Sequence, residues 1–195
     1  PGAQSRREHP EGPPQSGLAW TVPTEFVELP SRGAFYPEDH PLHKQETIEI
    51  KFMTAKDEDI LASTTLIKKG LAIDRLLESL VVDSSINPKD LLIGDRNAIM
   101  IAARISSYGS EYKANVNCPS CYNTVEYEFD LRKTNLKETC FSEEFLKSNK
   151  VEFDSDLKTF EVLLPTSEKK ISTRLLDGYD EEKTNATEEE EKIIT

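Results

Sequence analysis

The sequence predicts an α+β protein: a small helical domain entered by a strand, followed by a CxxC-tipped β-hairpin and the start of a second, similar strand-helix unit. Three observations carry that reading. Residues 48–52 alternate, with Ile48, Ile50 and Phe52 on one face and Glu49 and Lys51 on the other, before the period switches to a helical one. Residues 111–117 and 124–131 alternate again on either side of Cys118-Pro119-Ser120-Cys121. Finally, IEIKFMTAKDED at residues 48–59 aligns without gaps to ISTRLLDGYDEE at residues 171–182, so the chain begins a comparable unit twice.

Residues 1–19 hold Pro1, Pro10, Pro13 and Pro14 with several glycines and have nothing to bury, which predicts a disordered arm. The start at Pro1 rather than Met reads as a processed chain or a fragment. A strand plus helical core unit is expected over residues 20–109, beginning with Trp20, Val22, Phe26, Val27 and Leu29. Leu29-Pro30-Ser31-Arg32-Gly33 is a turn signal, because Pro fixes one backbone angle and Gly admits angles that other residues avoid. Phe35-Tyr36-Pro37 follows as an aromatic clip. It either covers the edge of the core or anchors a partner, and on the second reading Phe35 and Tyr36 are the candidate partner-binding residues. His40 and His43 have the spacing that can hold a metal on a helix, but Pro41 between them favours a loop.

Thr54 and Asp57 form the pattern of a capping box, and Ile60, Leu61, Thr64 and Ile67 behind them predict one helix ending at Gly70. Leu71, Leu76, Leu77, Leu80 and Val81 make a second apolar stripe, and Ala98, Ile99, Ile101, Ala102 and Ile105 a third. Asn87-Pro88 reads as a helix start, and Asp95 as the cap of a helix that stops at Gly109. Arg96 and Arg104 are expected in salt bridges on that helix or with Asp57, Glu58 and Asp59, a structural role rather than a catalytic one.

A CxxC β-hairpin is expected over residues 110–131. Two thiolates on a tight turn are half of a zinc knuckle, which makes Cys118 and Cys121 candidate metal ligands. Cys140 is followed three residues later by Glu143 rather than a fourth cysteine, so it does not complete the usual set. A redox pair is the other reading, disfavoured because the cysteines are flanked by strands rather than opening a helix. Residues 132–158 form a polar connector in which Phe141, Phe145 and Leu146 predict one short helix. Residues 159–195 are the start of the second strand-helix repeat, with strands expected at 160–164 and 170–175 and an acidic tail from Asp180. Val27-Glu28-Leu29-Pro30-Ser31 recurs in it as Val162-Leu163-Leu164-Pro165-Thr166.

Composition excludes several function classes. With 36% apolar and 31% charged residues the core is modest, and a formal net charge of −12 repels phosphate backbones. No stretch is apolar and long enough for a membrane span. Three cysteines in two unequal groups fit a reducing compartment. Catalysis is not expected, since no base is placed with a nucleophile. The alternative is a zinc-ribbon-like nucleic-acid module using Tyr122 and Tyr127, but Lys113 is the only basic residue between Glu111 and Asp130.

The runs LPSRGAFYP, MTAKDEDIL, LIKKG, DLLIGDRNAIMIAARISSYGSEY and the CPSC hairpin ending in YEFDL resemble the family of T4-like phage baseplate hub and hub assembly proteins, over about residues 20–182. The family is similar in turn to phage tail assembly chaperones. The resemblance implies assembly by protein–protein binding, tail or baseplate hub proteins as partners, and a place in the cytoplasm of the infected host or in the virion baseplate. Family members carry a second helical unit and a further cysteine pair. The expectation is therefore that this chain is a shortened form whose Cys118 and Cys121 share a structural zinc completed by residues outside it.

Overall fold

The computed structural model describes residues 22–133, 143–154 and 157–184. Strand β1 (Thr24–Glu28) pairs antiparallel with β2 (Thr47–Lys51), with Val27 opposite Ile48 and Glu25 opposite Ile50. β2 then delivers the chain to α1 (Ala55–Ala62), where the Asp57 carboxylate accepts from the backbone N–H of Thr54 at 2.8 Å and from its hydroxyl at 2.7 Å. This satisfies the Thr54 amide at the helix start and places an acid at the positive end of the helix. The single helix expected up to Gly70 is two. Ser63 adopts an extended conformation, and its hydroxyl accepts from the Leu66 amide to open α2 (Thr64–Lys68). A side chain that caps a helix competes with the ladder it interrupts, which is why the apolar spacing alone conceals the break.

α3 (Ala72–Leu80) and α4 (Ile93–Tyr108) supply the layer that covers the first hairpin. Leu76, Leu77 and Leu80 of α3 and Ile99 of α4 join Val27, Ile48 and Ile50 in one buried cluster with Leu29, Tyr36, Leu42 and Leu91. Between the two helices a 3₁₀ turn (Pro88–Asp90) begins at Asn87, whose side chain accepts from the Lys89 amide. α4 ends at Gly109, which sits at φ 84°, a left-handed angle that favours glycine.

β3 (Glu111–Asn117) and β4 (Thr124–Asp130) make a separate two-stranded sheet joined through residues 118–123. The polar connector contains α5 (Glu143–Ser148) and a strand not expected there, β5 (Val151–Asp154), which adds to β6 (Thr159–Leu163) and β7 (Lys170–Arg174) in a third sheet. β6 and β7 pair with Thr159 opposite Arg174 and Val162 opposite Ile171. A helix, α6, runs over 178–184. The expected arm at 1–19, Trp20, Cys140, Phe141, the side chains of Glu143 and Phe145, and the tail beyond 184 lie outside the described residues. Among the described residues no helix is long and apolar enough to cross a membrane.

Candidate functional site

The adjacent residues Asp95 and Arg96 in the first turn of α4 are both buried and look in different directions. Asp95 does not cap its own helix, as the sequence suggested. Its Oδ1 accepts from the Ser31 amide at 3.0 Å, and its Oδ2 accepts from the Ser31 hydroxyl at 2.6 Å and the Tyr36 hydroxyl at 2.7 Å. The N-cap is Leu92, three residues earlier, whose amide donates to the Tyr36 oxygen at 3.1 Å. One carboxylate thus fastens the loop after β1 onto the start of α4, with every contact charge-assisted and out of water.

Tyr36 is 1% exposed. That corrects its assignment as a partner-binding residue: its ring fills the core, stacked on His40 at 4.5 Å, while its hydroxyl is spent on Asp95 and Leu92. Burial and the neighbouring Asp95 charge push the Tyr36 phenol far above its ordinary range. Phe35, next to it, points the other way and is half-buried, edge-on to Phe153 at 5.2 Å and tilted against Phe160 at 5.5 Å. The clip therefore joins the first unit to the third sheet. The two histidines serve the same loop. The His40 Nδ1 accepts from the Leu42 amide, and the His43 Nδ1 lies 2.9 Å from the Tyr36 carbonyl.

Arg96 is the second tie between units. Its guanidinium donates to the Pro88 carbonyl at 2.6 Å and to Asp74 at 2.7 Å, and lies 3.4 Å from Glu181 of α6. The partners proposed from sequence, Asp57 to Asp59, are not among these. Lys89 adds a pair with Glu182 at 2.9 Å, and the Ile93 amide donates to the Leu176 carbonyl at 2.9 Å. α6 can approach this closely because residue 178 is glycine: a Cβ there would meet Arg96 Nη1 at 2.7 Å and the Lys89 backbone at 3.0 Å. α6 opens as α1 does, with Asp180 Oδ2 accepting from the Asp177 amide at 3.2 Å and Asp177 Oδ1 accepting from the Asp180 amide at 3.1 Å.

Cys118 and Cys121 lie on the turn of the β3–β4 hairpin, the first half-buried and the second exposed, both as free thiols. The turn closes by the Tyr122 amide donating to the Cys118 carbonyl at 2.9 Å, with Tyr122 at φ 59°. Backbone amides of Cys121 and Ser120 bond the Cys118 sulfur and pull its pKa below the ordinary thiol value. Among the described residues no group of three or more His, Cys, Asp or Glu side chains is placed to hold a metal.

The register of the hairpin sorts its side chains by chemistry. Tyr112 opposes Phe129, Ala114 opposes Tyr127 and Val116 opposes Val125, all on one face, while Glu111, Lys113, Asn115, Glu126, Glu128 and Asp130 occupy the other. Apart from Ala114 these apolar side chains are 41–58% exposed. The alternation was readable in sequence. Its exposure was not, since alternation only says that one face is apolar.

Compared with known proteins, residues 24–194 match the model of a family described as T4 bacteriophage base plate protein. No curated protein and no solved structure matches the chain.

Proposed function

The chain belongs to the family of T4 bacteriophage base plate proteins, and from that premise we propose that it is a structural subunit of the baseplate's central hub, built in by protein–protein contact and without catalysis. The observation that carries this beyond the family is the hairpin: buried polar groups such as Asp95 and Arg96 hold the units together, while among the described residues the β3–β4 hairpin keeps an apolar face outward. Retention in the virion, rather than a transient chaperone role, is the reading tested by isolating mature tails and quantifying the chain by mass spectrometry. Recovery in whole-number ratio with hub proteins is expected. Presence in infected cells with absence from mature tails assigns it to assembly alone, and recovery with no baseplate protein overturns both.

The chain is read here as two related units. Supporting this, β1–β2 and β6–β7 share one pairing register, and each pair runs into a helix opened by an acid three residues past its cap. Cys118 and Cys121, two thiols on one tight turn, suit one half of a tetrahedral zinc site, with amides that favour the thiolate form of Cys118 and the remaining ligands coming from outside the described residues. Zinc in isolated baseplates but not in the Cys118→Ser particle is the expected result, and equal metal in both discards it.

A further inference from the structure

We propose that Cys118 and Cys121 form a thiol–disulfide couple: a low-molecular-weight disulfide such as glutathione disulfide oxidises them, with Cys118 as the attacking thiol, to an internal bridge that fixes the turn of the β3–β4 hairpin. The zinc reading above needs both sulfurs as thiolates, so bridge and metal exclude each other at this turn, and the bridge needs no metal to form. In sequence the flanking strands speak against a redox pair, because no helix is there to favour a thiolate. The structure supplies an equivalent. The Tyr122 amide donates to the Cys118 carbonyl at 2.9 Å, which winds residues 118–122 into one α-turn, and the Cys118 amide donates to the Asn123 carbonyl at 3.0 Å. Residues three apart on a turn of this pitch have Cα atoms about 5 Å apart. A disulfide spans roughly 4.4–6.8 Å, so the bridge closes without moving the strands.

The two sulfurs are unequal. Cys118 is half-buried and Cys121 exposed. The Cys121 and Ser120 amides and the Cys121 thiol all donate to the Cys118 sulfur, which favours its thiolate and sets the second sulfur against the first. The Cys118 thiolate therefore attacks one sulfur of the oxidant and displaces a glutathione thiolate, which takes up the proton that Cys118 gave up. Glutathione is then held on Cys118 as a mixed disulfide. Cys121 loses its proton and attacks the Cys118 sulfur, displacing the second glutathione, which leaves as a thiol. Two electrons pass from the two cysteines to the oxidant, and excess reduced glutathione runs the sequence backwards. Two strands without a second layer are marginal in water, and among the described residues Tyr112, Val116, Val125, Tyr127 and Phe129 stay exposed, so the hairpin depends on its ladder and its turn. A covalent link across that turn removes open conformations from the states that compete with the hairpin.

The test uses the full-length wild-type chain, reduced and then held in EDTA so that failure here leaves the zinc reading untouched. The chain is equilibrated in buffers of reduced and oxidised glutathione, alkylated with N-ethylmaleimide and mapped by mass spectrometry. With oxidised glutathione in excess, the peptide holding both cysteines should be unalkylated and two hydrogens lighter, and excess reduced glutathione should return it to the doubly alkylated form. Thiols that stay alkylatable, glutathione that stays on the wild-type chain, or a bridge to Cys140 or to a second chain overturns the proposal. Cys121→Ser should accumulate glutathione on Cys118, and Cys118→Ser should take it up at Cys121 about threefold more slowly near neutrality, since a thiolate of lowered pKa is more abundant but less nucleophilic. Equal rates at the two positions remove Cys118 as the attacking thiol and overturn the proposal. Hydrogen exchange over residues 111–130 should be about tenfold slower in the bridged chain than in the reduced one. Equal exchange in the two forms overturns it as well.

Discussion

The β1–β2 and β6–β7 hairpins carry the same local instructions and reach different fates. Their strands pair in the same register, and their exits are closed by the same acid-to-cap contact, Asp57 on Thr54 and Asp180 on Asp177. Yet Ile48 is 3% exposed and its counterpart Ile171 is 39% exposed. The difference is the second layer. α3 and α4 bring Leu76, Leu77, Leu80, Ile99 and Ala103 into the cluster that covers the first hairpin, whereas the second receives Phe35 on part of one face. Pairing and capping are therefore written locally, while burial is conferred by whatever packs on top.

The sharpest break in that comparison is at the turns. Gly33 and Glu168 both sit at positive φ, 69° and 51°, but a Cβ at Gly33 would lie 2.4 Å from the Gln45 nitrogen and the Leu42 oxygen. Gly33→Ala should cost at least about 3 kcal/mol in urea unfolding, from steric overlap added to left-handed strain. Glu168→Gly, which relieves the same angle in an open turn, should be neutral or stabilising by up to about 1 kcal/mol. Equal losses at the two positions would contradict the claim that only the first turn is packed. Next in size are the strands: Ile48→Ala should destabilise by about 3 kcal/mol and Ile171→Ala by less than about 1. A large effect at Ile171 would mean that its face is covered after all.

Gly178→Ala probes the tie between the units. Its methyl group must displace Arg96 or the Lys89 backbone, at a cost of about 1–2 kcal/mol. Hydrogen exchange should quicken over 170–184 with the α3–α4 amides unaffected, and uniform quickening would show that the two parts unfold as one. The smallest effect is at the caps. Burial alone would raise the Asp57 carboxyl, but hydrogen bonds from Ser79 and Thr54 outweigh it and hold the group below its ordinary range. A carboxyl depressed in the folded state binds fewer protons there than in the unfolded chain. Its stabilisation is thus present above about pH 4 and fades as the pH falls through the folded value. Asp57→Asn should cost about 1 kcal/mol near neutrality and flatten the acid limb of the melting curve. Asp180, lowered first by Arg174 and then by the Asp177 amide, should show the same sign with a smaller amplitude, because Arg174, its main partner, is half open to solvent.

Much of this architecture was legible before any coordinates. The Thr54–Asp57 box, the α3 stripe, the Asn87-Pro88 start and the Gly109 stop are rules acting within a few residues, and each has its structural counterpart. What escaped is non-local. Tyr36 looks like any aromatic beside a Pro/Gly turn until Asp95, 59 residues away, takes its hydroxyl. Asp95 sits where a cap could form and is captured by Ser31 instead. β5 was hidden in a polar stretch because VEFD offers only two apolar positions, and it is a strand by virtue of β6 beside it, with Phe153 facing Phe160. Of the two clip residues one is core and the other is a bridge. The hairpin, by contrast, had its faces in plain sight, but no single-chain pattern reveals that a face is left open.

The unequal connections of the two similar hairpins also set an order in time. Eighteen residues link β1 to β2 and six link β6 to β7. Tripling the length of a flexible loop adds about 1 kcal/mol to the entropy of closing it. The hairpin that ends up less protected is thus the quicker to zip, and the one that ends up locked must wait for its long loop to find Asp95. Pulse-labelled refolding should show amides of 159–174 protected early but weakly, and those of 24–51 late and nearly irreversibly, so that speed and permanence fall to different hairpins.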